Sequence, residues 1–249
     1  MRNSRPVLII AHPGHELLLR HWLVQATPGV FALSDGSGST GRDRRAYSKR
    51  FIEDCGAKTG PVFGPHSDRE LYSFLQQHDT GAFLEICARI SEAALLEGCD
   101  QIVCDAVEHY NPMHDIANII AHVVRGTIAA HTGSSPDMLT SDIRGNRHPG
   151  QARLKVTAAS GDVEKKLEAA QAYFPLENEF TQYRDKLARA EELFFADNGY
   201  DWPETLPAQA FYERFGADRV ANGTYRELIT YRDHVRPLAL DMLQLESQA

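Results

Sequence analysis

Val7-Leu8-Ile9-Ile10-Ala11-His12-Pro13-Gly14-His15-Glu16 is the stretch that decides the fold. Its first five residues are an unbroken aliphatic run, rich in β-branched side chains. A strand with one wet face alternates apolar and polar residues, whereas an unbroken run suits a strand covered on both faces. The run stops at two histidines around a Pro-Gly turn. Residues 17–24 then resume at helical spacing, pairing Leu18 with Trp22 and Leu19 with Leu23. Strand, tight turn and helix in that order open a parallel sheet with crossover helices.

Working outward, residues 30–33 read as a second strand. It ends in the flexible loop Ser34-Asp35-Gly36-Ser37-Gly38-Ser39. A helix is predicted over 47–57, a short strand at Pro61-Val62-Phe63, and an amphipathic helix over 81–97 with Phe83, Ile86, Ile90 and Ala94 on one face. Gln101-Ile102-Val103-Cys104 is the next strand and leads into Asp105-Ala106-Val107-Glu108-His109-Tyr110-Asn111-Pro112. A helix over about 113–130 follows. The alternation predicts a three-layer α/β/α sandwich around a mostly parallel, Rossmann-like sheet. Ligands in such sheets bind outside the carboxyl ends of the strands, where the loops after Ala11 and Cys104 would both lie.

The second half changes character. Residues 131–150 read as a loop-rich bridge containing Gly133-Ser134-Ser135-Pro136 and Arg147-His148-Pro149-Gly150. A strand is expected at 153–156, helices at 163–173 and 177–195, an irregular cover at 198–208, and a helical region at 223–245 interrupted at Pro237. The chain reads as one domain over 1–249, with 150–249 a mainly helical extension or cover. A boundary near 150 is the alternative.

Composition narrows the class. The chain has 249 residues, 43% apolar and 24% charged, within the range of ordinary globular proteins. Lys+Arg 26 against Asp+Glu 34 leaves a net charge of −8, which argues against a non-specific nucleic-acid binder. No run approaches the ~20 apolar residues of a membrane span, and the first apolar run is too short for a secretory signal. Cys55, Cys87, Cys99 and Cys104 form no CxxC pair, so free thiols and a cytoplasmic location are expected. No Gly-x-Ser-x-Gly elbow appears and no Gly-x-Gly-x-x-Gly follows the first strand, which weighs against a serine hydrolase and a dinucleotide enzyme.

Two constellations carry chemistry. His12 and His15 flank a tight turn at a strand end, where two imidazoles can converge on one ion. Zinc asks for three or four such ligands. The plain alternative is an exposed loop with incidental histidines. Asp105, Glu108, His109 and His114 crowd the second loop, and the plain alternative there is that Asp105 or Asn111 caps the next helix.

These residues carry a resemblance. Residues 7–16 resemble the Ala-His-Pro-Asp-Asp-Glu signature of the PIG-L / LmbE-like family of zinc-dependent N-deacetylases. Leu33-Ser34-Asp35-Gly36-Ser37-Gly38 resembles the family's Asp-Gly-rich second-strand loop, and Asn111-Pro112-Met113-His114 its His-Pro-Asp-His element. The likeness covers about residues 5–130, in the family's order. It implies a Rossmann-like fold and a zinc site built from His12, His15 (normally Asp) and His114. Two departures stand out. Gly14 replaces the family's general-base Asp, and Asn111 replaces a His that helps stabilise the tetrahedral intermediate.

Amide hydrolysis needs an activated water, a polarised carbonyl and a proton for the leaving amine. Three neutral imidazoles leave more positive charge on an ion than a set with a carboxylate, so less help from a base is needed. Glu108 or Asp105 is expected to handle protons, and Asn111 to donate to the developing oxyanion. Glu16 is expected to orient a ligand. Arg42, Asp35 and His109 are the expected substrate contacts, with the Arg42, Arg44, Arg45 cluster suited to an anionic group. The implied substrate is a small N-acylated molecule, such as an amino sugar. Imidazole also suits iron, nickel and copper, so another divalent transition metal stays open. So do a homo-oligomer, a non-catalytic carbohydrate- or metabolite-binding member of the same fold, and an unrelated α/β protein with incidental histidines.

Overall fold

Pairing starts from β1 (Pro6–Ile10), whose residues are all buried. It lies parallel to β2 (Gly29–Ser34) on one side and β4 (Gln101–Asp105) on the other, with Ile10 opposite Ala32 and Ile9 opposite Cys104. β3 (Lys58–His66) extends the sheet beyond β2, and β5 (Asp137–Ser141) extends it beyond β4, both parallel. β7 (Glu191–Ala196) then pairs antiparallel with β5, and β6 (Leu154–Thr157) antiparallel with β7. The order is β3-β2-β1-β4-β5-β7-β6. This computed structural model describes residues 4–38, 41–144, 151–173 and 176–246.

The fold is α/β, with helices on both faces of a mostly parallel sheet. Alternate residues of β1 enter different cores. Val7 and Ile9 pack with α4 (Thr80–Glu97), α5 (Pro112–Thr132) and α9 (Arg236–Glu246). Leu8 and Ile10 pack with a 3₁₀ helix at His15–Leu19, α1 (Arg20–Ala26), α2 (Arg45–Asp54) and α6 (Asp162–Ala172). Burial on both faces is why the run tolerates no polar residue.

The chain runs from β1 outward through β2 to β3, then returns to place β4 on the other side of β1. The strand order therefore reverses between β1 and β4, and such switch points form a crevice at the carboxyl ends of the strands. The loops after β1 and β4 are brought together there.

The second half departs from the sequence expectation in three places. β5 lies inside the expected bridge at 131–150, whose Arg147-His148-Pro149-Gly150 segment falls outside the described residues. The helix expected over 177–195 is α7 (Glu177–Leu187) followed by β7. β7 alternates exposed and buried residues, but its buried set includes Glu192, which hides the strand pattern. Helix α8 (Phe211–Ala221) was not anticipated, nor, in the first half, was α3 (Asp68–Gln76). The chain past 150 thus adds two strands to the sheet as well as helices.

A buried ion pair fastens this half to the first. Lys166 of α6 is 0% exposed, and its Nζ donates to Glu192 Oε1 at 2.7 Å and to the Leu18 carbonyl at 2.6 Å. Glu192 also accepts from the first amides of α1, His21 at 2.9 Å and Trp22 at 2.8 Å. One carboxylate thus satisfies orphan helix donors and neutralises a lysine that burial would otherwise penalise. The four cysteines are free and buried. Among the described residues no helix is long and apolar enough to cross a membrane.

Candidate metal centre

The first loop turns at Gly14, whose φ of 116° is in the left-handed region that glycine tolerates best. Glu16 braces the turn from inside. It is fully buried and accepts from the Gly14 amide at 2.6 Å and from Ser48 Oγ at 2.5 Å. Burial pushes its carboxyl up to about 7, against those hydrogen bonds. The second loop ends at α5, where Asn111 is the N-cap and accepts from the Met113 amide at 2.9 Å. Asn111, rather than Asp105, is the cap.

These two loops bring His12, His15 and His114 into one triangle. One ligand nitrogen from each lies within 4.8 Å of the others. Ring centroids are 5.3 Å apart for His12 and His15, 5.4 Å for His12 and His114, and 4.5 Å for His15 and His114.

Two of the rings are backed by a carboxylate. His12 Nδ1 lies 2.8 Å from Asp68 Oδ1 and 3.0 Å from Ser34 Oγ. His15 Nδ1 lies 2.9 Å from Asp105 Oδ2, which also accepts from the Ala11 amide at 2.8 Å. His114 Nδ1 approaches Glu108 Oε2 at 3.8 Å, too long for a hydrogen bond. Glu108 is held instead by the Ile143 and Arg144 amides at 3.1 and 2.8 Å. On the far side of its ring, His12 Nε2 is buried without a hydrogen-bond partner. A buried imidazole nitrogen with its lone pair unmet, on a ring oriented through its other nitrogen, is the arrangement a metal ligand requires.

Electrostatics keep His15 and His114 in the ligating form. Burial, reinforced by His12, holds His15 well below the usual histidine range, and burial with His15 lowers His114. Both are therefore neutral near pH 7, as coordination requires. Burial works to raise Asp68, but His12, Ser34 and the Gly38 amide outweigh it and hold that carboxyl well below its ordinary value. Burial raises Asp105, opposed by His114 and the Ala11 amide.

The sequence reading missed Asp68, the partner of His12. It sits at the start of α3, behind the Ser67–Glu70 capping box. That Ser-x-x-Glu spacing was the available signal. Lys186 was also missed. Its Nζ donates to the Asp142 carbonyl, and burial lowers its pKa to about 8.

The expected substrate contacts are scattered. Arg42 is exposed. Asp35 shapes its own loop, accepting from the Ser37 amide at 2.9 Å and, through its carbonyl, from the Arg44 amide at 2.9 Å. His109 is buried, with Nδ1 2.9 Å from Asp115 Oδ2 and Nε2 2.9 Å from the Tyr200 hydroxyl. At Gly14, a Cβ would come 2.7 Å from Leu176 Cδ1, so Leu176 occupies the space of any side chain there.

Neither a protein-family model nor a curated protein sequence matches this chain. Solved structures do. The conserved protein TT1542 of Thermus thermophilus aligns with a TM-score of 0.51 at 15% identity, over 82% of this chain and 100% of its own. A deacetylase of the A40926 pseudoaglycone aligns at 0.55 and 14%, over 78% and 97%. A deacetylase triple mutant of the teicoplanin biosynthetic pathway aligns at 0.53 and 13%, over 79% and 100%. The chain therefore shares its fold with structures named as deacetylases.

Proposed function

We propose that this chain is a metal-dependent hydrolase of the PIG-L / LmbE-like type, removing an N-acyl group from an amino sugar or related small molecule. The observation that carries this reading is the triangle of imidazoles, two of them held at Nδ1 by a carboxylate, at the switch point of the sheet. The shared fold with named deacetylases supports the choice of amide chemistry. His12, His15 and His114 fit a zinc or similar divalent ion in ligand type and convergence, and burial keeps His15 and His114 neutral. Such an ion supplies Lewis acidity toward a carbonyl and a water.

The other tasks fall to the chain itself. Asp68 and Asp105 fix the tautomer and orientation of His12 and His15 through Nδ1. Asn111 Oδ1 is committed to the helix cap, so its Nδ2 is the end left to donate to the developing oxyanion. Glu108 accepts one backbone hydrogen bond at each oxygen and makes none to His114. It is the carboxylate with lone pairs left to take a proton at Oε2 and return it to the leaving amine. Asp105, bonded to both His15 and the Ala11 amide, is a positioning residue in this scheme.

The second reading is a binding protein without turnover. Leu176 favours it, because that side chain fills the place of the missing general base. One screen separates the two. Tagless protein is incubated with N-acetylated amino sugars, with and without zinc, and both binding and free amine are measured. Zinc-dependent release that is lost in His15→Ala supports the hydrolase. Ligand binding without release supports the binder, and the absence of both counts against each.

A further inference from the structure

An aromatic and cationic row that the mechanism above does not use leads away from His114. Tyr110 lies with its ring centroid 6.1 Å from that of His114. Phe211 of α8 stacks on Tyr110 at 4.6 Å and 22°, and Phe215 follows one helical turn on at 6.1 Å. Phe211 and Phe215 stay 39% and 42% exposed, an apolar strip continuous with the histidine triangle.

Arg144 lies over the same row. Its guanidinium carbon is 4.2 Å from the Tyr110 centroid, and Nη1 donates to the Tyr183 hydroxyl at 3.5 Å. Among the described residues its direct partners are the Tyr110 ring and the Tyr183 hydroxyl, and the Glu108 carboxylate acts on it only through its charge. The Arg144 backbone amide meanwhile holds Glu108 Oε1 at 2.8 Å, which anchors the residue beside the centre. A guanidinium lying over a ring keeps donors at its edge for an anion in its own plane, in the forked geometry that suits carboxylate or phosphate.

We propose that Arg144, backed by Tyr110, is the specificity determinant of this site. It receives an anionic group, carboxylate or phosphate, of an N-acylated small molecule whose apolar part lies along Phe211 and Phe215. The identity of the scissile bond rests on the hydrolase reading, but the anion contact needs no metal. Arg144 thus takes the part expected of Arg42.

Calorimetric binding of two matched pairs to the full chain tests this. One pair is N-acetylphenylalanine and its neutral amide; the other is N-acetylglucosamine 6-phosphate and N-acetylglucosamine. The wild type is expected to prefer the anionic member of at least one pair by about 10-fold or more, the effect of one charge-assisted contact. The pair that responds tells carboxylate from phosphate. Arg144→Gln is expected to cut that preference to within roughly 3-fold by weakening binding of the anionic member. Should that variant fail to fold, Arg144→Lys keeps the charge and loses the fork, and is expected to lower the preference several-fold. No charge preference in either pair, absence of binding included, overturns the proposal, as does full preference in the variant that folds. Zinc uptake is measured alongside. Uptake without charge preference leaves the hydrolase reading standing and removes this one, and charge preference without uptake does the reverse.

Discussion

His12 and His15 of the triangle share with His109 a carboxylate behind the ring, yet the two regions are built to different ends. In the triangle, His12 and His15 are each held at Nδ1 by an acid, and one nitrogen of each of the three rings converges on a common point. In the neighbouring pocket, His109 is held at Nδ1 by Asp115, but Tyr200 occupies its Nε2 at 2.9 Å. Its carbonyl also accepts from the Phe211 amide at 2.8 Å, so this histidine ties the C-terminal cover to the β4 loop. A histidine–carboxylate pair alone therefore says nothing about metal. Which nitrogen is left over, and where it points, decides.

The contrast extends to the acids. Asp68 faces an imidazole and is held well below the ordinary range, whereas Glu16 in the same region faces a hydroxyl and an amide, and burial pushes it up to about 7. A raised carboxyl favours the folded state below its unfolded value of 4.5, and that stability is lost as pH rises through about 7. Glu16→Gln removes this dependence. Urea unfolding of metal-free protein should show the variant gaining about 3 kcal/mol on the wild type between pH 4.5 and pH 8. Parallel curves would mean that Glu16 is ionised and paired like Asp68.

Asp105→Asn is expected to weaken zinc affinity about 10- to 100-fold by chelator competition, since His15 loses its orienting acid. Gly14→Asp is expected to cost about 2 kcal/mol, from the left-handed φ and the contact with Leu176, and Leu176→Ala should recover part of it. Full stability of Gly14→Asp alone would show that the turn can relax. Tyr200→Phe gives the smallest effect, about 1 kcal/mol of stability with zinc affinity unchanged. A loss of zinc affinity in Tyr200→Phe as large as in Asp105→Asn would erase the distinction between the two regions.

The parallel half was legible because burial on both faces leaves a plain mark. Val7–Ala11 and Ile102–Cys104 are unbroken apolar runs, and the polar residues that end them lie at the ligand edge. The three histidines were legible for the same reason. Asp68 was not, because its partner His12 is far away in sequence and its own neighbourhood reads as a helix cap. β7 was hidden by Glu192, a charged residue on the buried face whose cation, Lys166, comes from another element. Arg144 and Lys186 belong to the second half, where function depends on which side chains fold back over the sheet edge, and no local pattern encodes that.

The most direct test is a crystal of tagless protein soaked in zinc, with anomalous scattering collected at the zinc edge. One strong peak at about 2.0–2.1 Å from a nitrogen of each of His12, His15 and His114 is the expected result. Rings turned apart with no peak between them, or a peak confined to other residues, would contradict it.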